Sequence, residues 1–87
     1  MVTESLTEQQ RQRLQVDGGV LVSAVKPKSA AARAGLQAGD VVTQLGFSAV
    51  ASPEQLGKVA AALPKGSIQP IRFFRGDSPV FRSIVIE

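Results

Sequence analysis

Residues 29–42, SAAARAGLQAGDVV, leave the chain few ways to fold. Ser29 can N-cap a short helix through Ala30–Ala34, and Gly35 can end it in the left-handed conformation that glycine reaches without a Cβ clash. Leu36 then returns an apolar side chain to the core. Gly39-Asp40 makes a tight turn whose carboxylate can accept from nearby backbone N–H groups, and the β-branched pair Val41-Val42 starts a strand. Gly35, Gly39 and Asp40 are therefore structural turn residues, and the segment is a connector that swings the chain from one strand to the next.

The flanking sequence supplies those strands. Thr7-x-x-Gln10 is a capping box that opens a helix over Glu8–Leu14, with a short extended piece at 2–6 before it. Asp17-Gly18-Gly19 breaks that helix as an ordinary turn, and VLVSAV (20–25) is an apolar-rich strand ended by Lys26-Pro27. After the connector come a strand at 41–45, a turn at Gly46 and a short extended piece at 49–50. Ser52-Pro53-Glu54-Gln55 is a second capping box with proline at the first helical position. Leu56, Val59, Ala60 and Leu63 recur at helical spacing, so a helix over 53–63 should bury Leu56, Val59 and Leu63 and leave Lys58 in water. Pro64 and Gly66 stop it. IQPIRFF (68–74) and VFRSIVI (80–86) read as a hairpin around a turn at 75–78. One of the adjacent Phe73 and Phe74 must then face the core. Strands and helices that do not alternate strictly favour an α+β domain with a curled, mostly antiparallel sheet.

At 87 residues the chain is one domain, 1–87, of a size that buries only about 60% of its unfolded surface. It has no cysteine and no histidine, which removes disulfides, thiolate nucleophiles, the usual general base and the commonest metal ligands. A Ser-His-Asp triad is impossible, and no Ser-Lys pair sits in a recognisable nucleophile turn. Asp40 and Asp77 each lie beside glycine at a corner and read as turn residues, not as an acid/base couple. The net charge is +3, but the ten lysines and arginines are scattered with acids between them, which describes a solvated surface better than a nucleic-acid footprint. IRFFRG (71–76) does not match an RNA-binding aromatic strand motif. No apolar run is long enough for a membrane span.

GVLVSAVKPKSAAARAGLQAGDVV (19–42), followed by an extended turn and SPEQLGKVAAAL (52–63), resembles a PDZ domain of the bacterial type, and is most similar to the C-terminal PDZ modules of periplasmic Do/HtrA serine endoproteases. The likeness extends from residue 2 to about residue 87, and AGLQAGDVV is its most specific part. One departure is visible: the family usually has Asn-Gly after the Gly-Asp strand, whereas here Gly46 comes first and Phe47 places an aromatic on that corner.

The resemblance implies a PDZ-like α+β fold, with a five- to six-stranded, mostly antiparallel sheet or partial barrel capped by two helices. It implies a noncatalytic module, without cofactor or metal, that binds an extended or C-terminal peptide as an added strand beside a helix. The expected partners are unfolded or C-terminal segments of proteins and the protease domain and other modules of a parent serine endopeptidase in the periplasm, with no nucleic acid and no membrane insertion. On this pattern Val2, Thr3, Glu4 and Ser5 form the groove strand. Pro53, Gly57, Ala60 and Ala61 then form the small-residue helix face that leaves a roomy apolar pocket. The loop that caps a ligand carboxylate is expected mostly before Met1. Two alternatives stay open: the glycine-led strand GGVLV could itself receive the peptide, and the alanines could simply be good helix formers packed under a loop. At the level of function, the alternatives are a PDZ module of a membrane metalloprotease or secretion-system protein, and a purely structural interaction domain.

Overall fold

The computed structural model describes residues 1–87. Its elements run β1 (Val2–Ser5), α1 (Glu8–Leu14), β2 (Val20–Ala24), α2 (Ala30–Arg33), β3 (Val41–Leu45), β4 (Ser48–Ala49), α3 (Pro53–Ala62), β5 (Ile68–Arg75) and β6 (Ser78–Val85). All strand pairs are antiparallel, in the order β1-β2-β3-β5-β6, and β4 adds to β3. β2 is paired on both edges, whereas β1 and β6 each keep one edge free. β1 and β3 are separated by β2, yet both lie against α3. The sheet therefore curls around that helix.

Local side-chain chemistry sets most of the boundaries. Thr7 and Gln10 form the full reciprocal capping box of α1, and the Ser29 hydroxyl accepts from Ala32 N–H at the start of α2. Only half of the second box forms: Ser52 accepts from Gln55 N–H, but the Gln55 side chain reaches back to Ala51 N–H. The Ser52 bond still satisfies a donor that the helix start leaves orphaned. Gly35 and Gly39 have φ of +91° and +97°, where a side chain would be strained. The final hairpin is tighter than expected. Arg75 already pairs with Ser78, leaving Gly76-Asp77 as a two-residue turn with Gly76 at φ +62°, which suits the twist of the flanking strands.

The core is built from one face of the sheet. Val20, Val22, Val42 and Phe73 are fully buried together, with Ile71, Leu36, Leu45, Val50, Leu56 and Ile86 around them. Val42 pairs with Phe73 and its neighbour Val41 with Phe74, so Val41 points to the opposite face. There a Cβ on Gly19 would come within 3.1 Å of both Leu6 and Val41. At Gly18 a Cβ would meet the Ala51 Cβ at 2.8 Å. The Gly18-Gly19 pair is thus a site of close backbone approach, where the start of β2 is pressed against the segment leading into α3. In α3 Leu56 is buried and Lys58 exposed, as the spacing requires, but Val59 and Leu63 are only half-buried. They pack at the margin of the core, because α3 rests mainly on β1 and β3 and does not cross the whole sheet.

Asp40 is the one charged residue in the buried set. Its carboxylate accepts from Gln37 N–H at 2.8 Å, which closes the expected turn. It also receives a two-pronged bond from Arg75, Nε to Oδ1 at 3.1 Å and Nη2 to Oδ2 at 2.8 Å, while the same Nη2 donates to the Gly35 carbonyl at 2.6 Å. The guanidinium also lies 5.5 Å from the Phe73 ring centroid. Hydrogen bonding to Asp40 raises the Arg75 pKa above its ordinary value, so the cation persists at every pH at which the domain would be studied. One side chain thereby ties the β5–β6 hairpin to both glycine corners of the connector. Lysine carries the charge but cannot span three oxygens with a planar fork. Arg75→Lys should therefore lower the urea midpoint nearly as far as Arg75→Met does, and full recovery by lysine would show that charge alone suffices.

Candidate functional site

The candidate site lies between the free edge of β1 and α3. In β1, Thr3 is paired with Val22 and Ser5 with Val20, and paired residues share a sheet face. Thr3 and Ser5 therefore sit on the side of the buried valines, Thr3 half-buried and Ser5 exposed. Glu4 is exposed on the other side, and Val2, also exposed, pairs with Ala24 across a bulge that shifts the register between Val2 and Thr3. The Val2 carbonyl already accepts from the Ser23 hydroxyl at 3.1 Å. Of the four expected strand residues, Thr3 and Ser5 thus share the helix-facing side and Glu4 lies on the other, where it could contribute backbone only.

Beside α3, next to the residue that precedes β1, an apolar cavity of ≈ 200 Å³ opens between α3, α2 and the end of β6. Met1, Leu56 and Ala60 form its walls, Leu45, Ile71, Ile84 and Ile86 line its interior, and Ser29 and Glu87 bring polar groups to it. A cavity of about 150 Å³ admits a benzene molecule, so this one has room for a leucine or phenylalanine side chain. The Glu87 carboxylate accepts from Ala30 N–H at 3.0 Å. Glu87 thus brings a carboxylate to the rim of an otherwise largely apolar lining.

Ala60 lines the cavity and packs on the core, but Gly57 and Ala61 are exposed and outside the cavity lining, and Pro53 is half-buried at the far end of the helix. Helical spacing puts Gly57 beside Ala60 without saying how far the facing strand reaches, and the wall is formed by Leu56 instead. The residues that the sequence reading missed are Leu45, Ile71, Ile84 and Ile86. The alternation in VFRSIVI was the available signal, since it puts Ile84 and Ile86 on one face. No group of three or more carboxylates gathers in a metal-binding arrangement, and no helix is long and apolar enough to cross a membrane.

Residues 21–67 match the family model described as PDZ domain. A "Probable periplasmic serine endoprotease DegP-like" of Halomonas elongata is 43% identical over 60 residues, 69% of this chain and 13% of that protein. A relative of the same description from a Marinomonas species is 32% identical over 81 residues, 93% of this chain and 17% of that protein. The chain thus spans a small fraction of the length of the relatives it matches. Among solved structures, the HtrA3 PDZ domain bound to a phage-derived ligand, FGRWV, superposes with a TM-score of 0.81 at 22% identity, covering 100% of this chain and 81% of that one. The HtrA-type protease AlgW with a decapeptide gives 0.80 at 22% identity, covering 95% of this chain and 26% of that one. These likenesses establish the fold.

The position of Gly57 allows a test of its role. A Cβ there would meet nothing within 4 Å, and glycine inside a helix is less stable than alanine by about 0.5–1 kcal/mol. Gly57→Ala should raise stability by about that amount in urea unfolding, and a loss of stability would mean that α3 sits closer to its surroundings than these contacts allow.

Proposed function

The chain belongs to the PDZ domain family, and from that premise we propose that it is a noncatalytic peptide-binding module of a Do/HtrA-type serine endoprotease of the periplasm. Its ligand is an extended segment, above all an apolar C-terminal one, added as a strand to the free edge of β1. The observation that carries this reading is the conjunction of an unpaired strand edge, a helix alongside it and an apolar cavity at the start of the strand. An edge supplies affinity through backbone hydrogen bonds and a cavity supplies selectivity. Pairing of β2 on both edges supports β1 over GGVLV as the acceptor.

The parent's identity rests on the DegP-like relatives, which are named as periplasmic serine endoproteases. In such a protein this module would hold substrate segments or contact neighbouring modules, while the chemistry takes place elsewhere. The FGRWV ligand of the HtrA3 domain ends in valine, and a valine side chain fits the cavity here. Thr3 and Ser5 on the strand and Leu56 and Ala60 on the helix are the residues proposed to touch ligand. Pro53, Gly57 and Ala61 stand at the margin of the groove.

Peptides ending in Leu, Val, Ile or Phe should bind more tightly than those ending in Ser or Asp, as read by fluorescence anisotropy. Ala60→Phe fills the cavity and should weaken the apolar peptides by about tenfold or more, the worth of one buried side chain. Equal binding of charged and apolar C-termini, or indifference to Ala60→Phe, would remove the cavity from the reading.

A further inference from the structure

A second cleft lies away from the groove, between the β3–β4 corner and the outer face of the final hairpin. Ile71 and Phe73 of β5 are buried in the core, so Arg72 between them projects from the opposite face. It is paired laterally with Gln44 on β3 and with Phe81 on β6. Its guanidinium carbon lies 5.8 Å from the Phe74 ring centroid and 5.4 Å from that of Phe81, a stacked setting that orients the group without neutralising it. No acid pairs with it: the one ion pair of the molecule is Asp40–Arg75, and the Arg72 Nε is buried without a hydrogen-bond partner. Phe47 is 93% exposed and Phe81 65% exposed, and with Arg72, Gln44 and Pro70 they line a cleft of ≈ 170 Å³.

We infer that this cleft is a second protein-docking site, which takes an acidic side chain flanked by apolar ones from a partner protein. The complementarity is specific in kind. A guanidinium held between two rings with no carboxylate partner favours a ligand that brings one to its outer nitrogens, and guanidinium with carboxylate is the strongest such pairing. Two exposed phenylalanines beside it call for apolar neighbours on the same segment, the usual combination of an aromatic anchor with arginine at interfaces. Nucleic acid or an anionic lipid surface requires several cations together, and Arg72 is the only basic residue in the cleft lining. The inference is independent of the peptide groove, because neither β1 nor α3 contributes to this lining.

The test is an amide-resolved NMR titration of the 87-residue protein with an N-acetylated, C-amidated peptide, Ala-Leu-Glu-Leu-Ala, and its Gln analogue. Blocked ends deprive the groove of a free C-terminus. The Glu peptide should move the amides of Gln44, Phe47, Arg72 and Phe81 at millimolar concentration, bind about tenfold or more tightly than the Gln analogue, and weaken as salt is raised. Arg72→Gln should abolish the difference between the two peptides, while Ala60→Phe should leave it intact. If Arg72→Gln disturbs folding, the two peptides on the unaltered protein decide alone. Equal binding of both peptides, shifts confined to β1 and α3, no shifts at all, or movement of the same amides only by anionic phospholipid vesicles would each overturn the inference. Loss of apolar-peptide selectivity in the groove would leave it standing.

Discussion

The contact between Arg75 and Asp40 holds together parts of the chain that have no other reason to meet. A carboxylate 2% exposed is expensive to remove from water unless it is paired and hydrogen-bonded. Here it has three hydrogen bonds, from Gln37 N–H and from two nitrogens of Arg75. The arginine's own side chain is 41% exposed, so solvent shares the desolvation cost on the cationic side and screens the pair. The contact matters more for geometry than for attraction. The connector around Gly35 and Gly39 feeds β3, the hairpin around Gly76 joins β5 to β6, and Arg75 fixes one to the other. β3 and β5 supply Leu45 and Ile71 to the cavity, and β6 with the residues after it supplies Ile84 and Ile86. The shape of the groove is thus set in part at the opposite end of the strands that line it.

The parts of the fold that were legible in the sequence are those made by a side chain acting on its own backbone. Thr7 with Gln10, Ser29, Ser52, Gly35 and Gly39 all act within a few residues of themselves, and each lies where its chemistry requires. Burial of Leu56, and of one of the adjacent Phe73 and Phe74, followed from periodicity, which is also local. The partner of Asp40 was not legible, since Arg75 looks like one more turn residue until the hairpin is folded back 35 positions along the chain. Gly18 was read as a turn residue for the same reason. Its need for no side chain comes from Ala51, which no local pattern brings near. The helix face of the candidate site was half legible: spacing groups Gly57, Ala60 and Ala61, but only Ala60 comes within reach of the cavity. How deep a groove is depends on the facing strand and the curl of the sheet, neither of which is written in the helix.

The two free edges of the sheet differ in ways that bear on the proposed function. An exposed edge invites any extended chain, and proteins blunt such edges with proline, charge or cover. β6 carries Pro79, which offers no donor, and Arg82, and α2 packs against it. β1 is only four residues long and lacks proline, and its neighbour beyond the free edge is α3. An incoming strand on β6 would find backbone partners interrupted by proline and α2 packed against the strand. On β1 it would find a helix wall and an apolar socket at the start of the strand. Each backbone hydrogen bond that an added strand gains is worth only about 0.5–1.5 kcal/mol net, so edge pairing gives affinity without much selectivity. On the proposed reading, the side chain that enters the cavity between Met1 and Ala60 therefore carries a large part of the affinity and sets the preference for an apolar residue.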